Sequence, residues 1–323
     1  MIIDVVGAGS LGLLYGGKLQ TSGISVRFWT RTSVQAGQLK QEGMTIMEKD
    51  REIHIRPDEI QAYPASQLAN VWNEKPGDWI LLTVKQTHID DFIEQTATLT
   101  VESRQSLKIA CYQNGLGHLE KLQAAFSNAW LCSAITTEGA KRTGGKVCRA
   151  GYAETLLGVS KRSTKANAEI VDEQQIFTLA KVMQQAGFDC TVSNEIDKPI
   201  YRKLLINAVI NPLTAIWRIP NGELLHKKER ISIMRQLCDE AMNVYKAMNV
   251  QLEGDMWDQI QGVCRGTASN TSSMLADVLH KRTTEVESIN GSIIRMAKEF
   301  NLKVPTHEML FHLIQGMQSE GVS

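Results

Sequence analysis

The chain has 323 residues, 43% of them hydrophobic, with 35 basic against 35 acidic side chains and no net charge. That length favours two domains and supports a hydrophobic core without disulfide or metal staples. The charge balance argues against a nucleic-acid binder, and no run approaches the roughly 18 apolar residues of a membrane helix. The first thirty residues read strand, glycine turn, helix, strand: Ile2–Val6 as a buried parallel strand, Ser10–Thr21 as a helix ended by Gly23, and Ser25–Thr30 as a second strand. The polar, alternating stretch Met44–Ile60 predicts a hairpin. Buried strands are expected at Trp79–Val84, Leu107–Tyr112 and Trp130–Ile135, and Gly139–Gly151, rich in Gly, Lys and Arg, as a loop or turn. A strand at Glu154–Gly158, a helix at Ala166–Gly187 and a strand at Asp189–Ser193 complete an α/β, doubly wound first domain over residues 1–193. Residues 194–323 read as helical almost throughout.

Asp4 and the glycines interrupt the apolar start, which has no secretory h-region, so the expected compartment is cytoplasmic. Cys111, Cys132, Cys148, Cys190, Cys238 and Cys264 are scattered without a C-x-x-C pair and are expected reduced. The seven histidines form no ligand cluster, so no protein-bound metal is expected.

Gly7-Ala8-Gly9-Ser10-Leu11-Gly12 is a G-x-G-x-x-G between a predicted strand and a predicted helix. In a dinucleotide site the first glycine permits the tight turn, the second lets backbone approach a pyrophosphate, and the third lets helix and strand pack closely. A purely structural turn is the alternative. NAD sites place an acidic residue about 20 residues further on to bond the ribose hydroxyls. Here no acidic residue occurs between Asp4 and Glu42, and the second strand runs into Arg31. A guanidinium can fork onto a 2′-phosphate, which favours NADP(H), unless Arg31 is only a solvated loop residue.

In the helical half, Lys203, Asn207 and Asn211 recur every four residues on an otherwise apolar helix. The spacing puts one ammonium and two amides on one stripe, bordering either a cleft or a polar helix–helix contact. Asn is a poor helix former, so two of them in mid-helix need a reason. Asn270-Thr271-Ser272-Ser273 resembles an N-cap cluster. Ser273, Asp277, Lys281 and Glu285 follow at i+4 steps, which would equally fit one charged surface face.

Taken together, the chain resembles the ketopantoate reductase (2-dehydropantoate 2-reductase) family over nearly its whole length. The resemblance rests on the glycine turn, Thr83-Val84-Lys85, Gln113-Asn114-Gly115-Leu116-Gly117 and Arg202-Lys203-Leu204-Leu205-Ile206-Asn207. It continues through Asn211-Pro212-Leu213-Thr214-Ala215, Asn221-Gly222-Glu223-Leu224, Ser272-Ser273-Met274-Leu275, Thr284-Glu285 and Ile289-Asn290-Gly291. It implies a Rossmann-type domain followed by an all-α domain like the C-terminal domain of 6-phosphogluconate dehydrogenase, with the active site between them. It also implies NADPH-dependent reduction of 2-dehydropantoate to (R)-pantoate, on the way to pantothenate and coenzyme A. By the same resemblance Lys203 is the general acid and Glu285 its companion. Asn114, Lys203, Asn207, Asn211, Asn221, Asn270 and Ser273 meet the substrate. The glycine turn with Ala8, Ser10 and Leu11, together with Arg31, Lys85 and Asn114, meets the cofactor. The expected partner is the small-molecule substrate, with no nucleic acid and no membrane; assembly as a homodimer is left open.

Overall fold

The computed structural model describes residues 1–49, 51–162 and 173–318 and divides into two compact units. The first comprises Met1–Gln113 and His118–Ile196; the second comprises Asn114–Gly117 and Asp197–Ser323. No described helix is long and apolar enough to cross a membrane.

Among the described residues the first unit holds twelve strands: β1 (Ile2–Val6), β2 (Ser25–Thr30), β3 (Met44–Glu48), β4 (Arg51–Ile55), β5 (Gln61–Pro64), β6 (Trp79–Leu82), β7 (Lys108–Cys111), β8 (Trp130–Thr136), β9 (Gly139–Thr143), β10 (Lys146–Gly151), β11 (Thr155–Gly158) and β12 (Cys190–Val192). Eight of them form one sheet in the order β12-β11-β8-β7-β6-β1-β2-β5, parallel except where β11 meets β8. Its described α-helices are α1 (Ser10–Thr21), α2 (Ser33–Glu42), α3 (Leu68–Glu74), α4 (Ile89–Gln95), α5 (Val101–Gln105), α6 (His118–Ala125) and α7 (Glu173–Gln185). The strands are apolar because both sheet faces are covered: Ile3 and Val5 join one buried cluster, Val6, Ile80 and Leu82 another. Asp4, which breaks the apolar run of β1, accepts from Arg27 Nε (2.7 Å), Arg27 Nη2 (2.6 Å) and Trp29 Nε1 (2.6 Å) of β2. A buried carboxylate is tolerated there because its charge is paired and its oxygens are bonded.

The stretch Gly139–Gly151 is corrected from a turn to the hairpin β9–β10. It docks on the predicted hairpin β3–β4 to form a second sheet, β4-β3-β10-β9, with β10 parallel to β3. The alternation of β10 is hidden in the sequence because Arg149 occupies an inward position. It is buried there, meeting both oxygens of Glu138 (2.5 and 3.0 Å) and Glu48 of β3 (2.5 Å), with its guanidinium 4.3 Å from the Tyr152 ring centroid. Of the helix expected at Ala166–Gly187, residues 166–172 lie outside the described residues.

The described part of the second unit is helical: α8 (Asp197–Trp217), a 3-10 segment at Asn221–His226, α9 (Lys228–Ala247), α10 (Met256–Gly266), α11 (Ser273–Leu279), α12 (Val286–Glu299) and α13 (Pro305–Met317). Pro212 stands inside α8 and has no N–H to give to Ala208 O. Asn290 of α12 repairs the loss, its Nδ2 donating to that carbonyl at 3.0 Å. Asn290 is in turn 3.1 Å from Nδ1 of His307, whose Nε2 lies 3.0 Å from Leu237 O. Burial holds the His307 pKa down at about 4, so a neutral ring donates from Nε2 and accepts at Nδ1.

Candidate active site

In the first unit the glycine turn lies at the switch point of the sheet, where β2 and β5 continue on one side of β1 and β6, β7 and β8 on the other. Open parallel sheets bind ligands outside the carboxyl ends of their strands at such a point. Gly7 has φ +105°, and a Cβ there would sit 2.6 Å from Val84 N. A Cβ on Gly12 would sit 2.1 Å from Gly7 O and 2.5 Å from Thr83 Oγ1. The Thr83 hydroxyl lies 3.1 Å from Val6 O and 2.8 Å from Gly7 O, so Thr83-Val84 and the turn pack as one piece. Gly9 is different: among the described residues no neighbouring atom lies within 4 Å of its would-be Cβ, and α1 has no acidic side chain in its first turn. An open face at a helix N-terminus, with amides lacking intrahelical acceptors, fits a pyrophosphate.

Arg31 is exposed immediately beyond β2, and the end of that strand is tied to the turn by Gly7 N donating to Trp29 O at 3.0 Å. Two residues that carry no motif help to shape the turn. Ala8 O accepts from Gln35 Nε2 of α2 (2.6 Å) and from Arg142 Nη1 of β9 (3.2 Å). Arg142 lies in β9, within the stretch whose composition predicts a loop or turn. Lys85 is half-buried just after β6 and precedes the 3-10 turn Gln86–His88.

In the second unit α8 presents Lys203 and Asn207 half-buried and Asn211 buried, in one stripe. Glu285 is buried at the N-cap of α12 and accepts from Asn114 Nδ2 at 3.1 Å. The Asn114–Gly117 segment is seated on the start of α12: Leu116 N donates to Ser288 O (3.0 Å), and a Cβ on Gly115 (φ +78°) would lie 2.1 Å from that oxygen. Loss of water around Lys203 pushes its pKa down to about 8, while the charge of Glu285 pulls the other way. Lys203, Glu285 and Asn114 thus form one electrostatic cluster, which no spacing in the sequence reveals.

The remaining sequence-predicted residues of this unit are Asn221, Asn270 and Ser273. Asn221 N donates to Asn270 O (3.0 Å), and the buried Asn221 side chain donates to Thr267 Oγ1 at 2.9 Å. Asn270 and Ser273 are exposed. The N-cap of α11 is Ser272, which accepts from Leu275 N (3.1 Å) and lies 2.7 Å from Thr214 Oγ1 of α8. The i+4 series from Ser273 to Glu285 is not one helix face: α11 stops at Leu279, Lys281 has φ +53°, and Glu285 opens the next helix.

A family model described as "Ketopantoate reductase PanE/ApbA" matches residues 3–162, and one described as "Ketopantoate reductase PanE/ApbA C terminal" matches residues 195–318. A curated 2-dehydropantoate 2-reductase of Shigella flexneri is 30% identical over 322 residues, covering 99% of this chain and 96% of its own length. Two solved structures show the fold. A PanE/ApbA family ketopantoate reductase from Ralstonia eutropha aligns with TM-score 0.84, 21% identity and 98% coverage of each chain. A D-mandelate dehydrogenase with NADH and anilino(oxo)acetate gives the same score, identity and coverage.

Proposed function

This chain belongs to the ketopantoate reductase family, and from that premise we propose that it reduces 2-dehydropantoate to (R)-pantoate, with NADPH as cofactor and Lys203 as proton donor. The observation that carries the proposal is the half-buried Lys203, its pKa near 8, beside a buried Glu285 that also holds the Asn114 amide.

When bound, NADPH supplies the hydride. As the ketone carbon is reduced, negative charge builds on its oxygen, and an adjacent ammonium both stabilises and neutralises that charge. Desolvation favours the neutral amine of Lys203, and the charge of Glu285 opposes this. A pKa about one unit above neutral leaves roughly ten ammonium forms for each amine at pH 7. The proton is present, yet it is easier to give up than that of an ordinary lysine. Asn207 and Asn211 on the same stripe, with Asn270, Ser273 and Asn221, supply neutral donors and acceptors for the substrate carboxylate and hydroxyl. The first unit would hold the dinucleotide: the open face at Gly9 would take the pyrophosphate and Arg31 would take the 2′-phosphate.

The direct test is NADPH oxidation with 2-dehydropantoate, run beside NADH and beside other 2-oxo acids, mandelate's oxo acid included. A chain that prefers another acid or NADH overturns the corresponding part. Arg31→Ala is expected to raise KM for NADPH at least about tenfold, the cost of one charge-assisted contact, with little change for NADH. Equal weakening of both cofactors makes Arg31 structural. Ser273→Ala and Asn270→Ala are expected mainly to raise KM for 2-dehydropantoate, since such contacts persist from ground to transition state. Unchanged affinity by calorimetry removes either residue from the pocket. Because both side chains are exposed, neither change should alter Tm appreciably.

A further inference from the structure

We infer that Gln113 and His118 form a brace that positions Lys85, an inference that rests on the cofactor-side role read for Lys85 above. The chain leaves the first unit after Gln113 and re-enters it at His118, so these two residues are the posts from which the Asn114–Gly117 segment departs. Both turn onto the loop that follows β6. Gln113 Nε2 donates to Leu82 O and to Val84 O, each at 2.8 Å, using both amide hydrogens on two carbonyls of one extended stretch. On the other side of Lys85, His118 Nδ1 lies 2.9 Å from Gln86 Nε2. An amide nitrogen can only donate, so Nδ1 accepts and the ring proton resides on Nε2. The ring is buried, and desolvation pushes its pKa down to about 3, so it stays a neutral acceptor at any working pH.

The residues on both sides of Lys85 are therefore fixed, Val84 through its carbonyl and Gln86 through its side chain. Gln86 is half-buried and its amide N–H could donate to water instead, so satisfying it does not require His118. An apolar residue would fill the His118 position without the cost of burying a polar ring. What the imidazole adds is a fixed place for the Lys85 turn relative to Gln113 and His118 within the first unit.

The experiment uses the full chain with NADPH and 2-dehydropantoate. His118→Leu is expected to lower kcat/KM about five- to tenfold, and His118→Gln, which keeps an acceptor, to recover most of it. In a Lys85→Ala background, His118→Leu should change kcat/KM less than about twofold, because a brace acts only through what it holds. Equal losses in both backgrounds, or wild-type kcat/KM in His118→Leu, overturn the inference. If His118→Leu does not fold, Gln86→Ala breaks the same bond from its half-exposed side and is read by the same outcomes. A wild-type chain inactive on 2-dehydropantoate would sink the functional reading instead. Amide exchange then decides the brace: it should quicken over residues 83–88 in His118→Leu or Gln86→Ala, and unchanged exchange there removes it.

Discussion

Replacing Lys203 by alanine is expected to cut kcat by about 10²–10⁴, the usual cost of losing a general acid, while NADPH still binds. Glu285→Ala should also be severe, because Glu285 is the charge that opposes desolvation of the Lys203 ammonium. The two act on one proton, so the double variant should be far less than multiplicatively worse. The pH profile checks the same assignment. With a pKa of about 8, wild-type kcat should fall as pH rises through that value, and the alkaline limb should vanish in Lys203→Ala. In Glu285→Gln, losing the opposing charge should move the limb to lower pH. Near-normal kcat with an unchanged limb in Lys203→Ala would remove this residue from the mechanism.

The same lysine carries a stability signature independent of catalysis. Its folded pKa is depressed below the usual 10.5, so the unfolded chain binds the proton more tightly between pH 8 and 10.5. Folding therefore pays a penalty below pH 8 that fades as pH rises toward 10.5. Lys203→Met, similar in length and uncharged, should raise Tm at pH 7, and the gain should shrink across that window. A constant difference from pH 7 to 10 would mean the ammonium is not desolvated.

The parts that sequence alone reveals are those written in local periodicity. The strands flanking the glycine turn, the hairpin Met44–Glu48 with Arg51–Ile55, and the stripe of Lys203, Asn207 and Asn211 all follow from spacing within one element. The misses have specific causes. The hairpin β9–β10 was masked because its inward Arg149 is neutralised by Glu138 and Glu48, residues 11 and 101 positions away. The series from Ser273 to Glu285 looked continuous because i+4 counting does not register a left-handed residue such as Lys281. Asn114 and Glu285 are 171 residues apart, so their pairing has no local signal at all. Asn290 could have been anticipated in part: Pro212 in a long apolar helix leaves the Ala208 carbonyl short of a donor, though not which residue supplies it.

Gly9→Ala and Gly12→Ala are expected to fail in opposite ways, although both lie in one motif. At Gly12 the added Cβ meets Gly7 O at 2.1 Å and Thr83 Oγ1 at 2.5 Å, so turn and helix must separate. Forcing a methyl into such packing typically costs about 1–3 kcal/mol, and Tm should fall with or without cofactor. At Gly9 the backbone sits at φ −81° and ψ −168°, which alanine adopts readily, and nothing lies within 4 Å of the new methyl. The protein alone should melt as the wild type does. Cofactor affinity should nevertheless drop about ten- to a hundredfold, as the methyl stands where a pyrophosphate would approach the amides. Calorimetric titration with NADPH, paired with thermal melts of the ligand-free protein, separates the two effects. Wild-type affinity in Gly9→Ala would mean that the phosphates approach elsewhere and that the open face at Gly9 is not their seat.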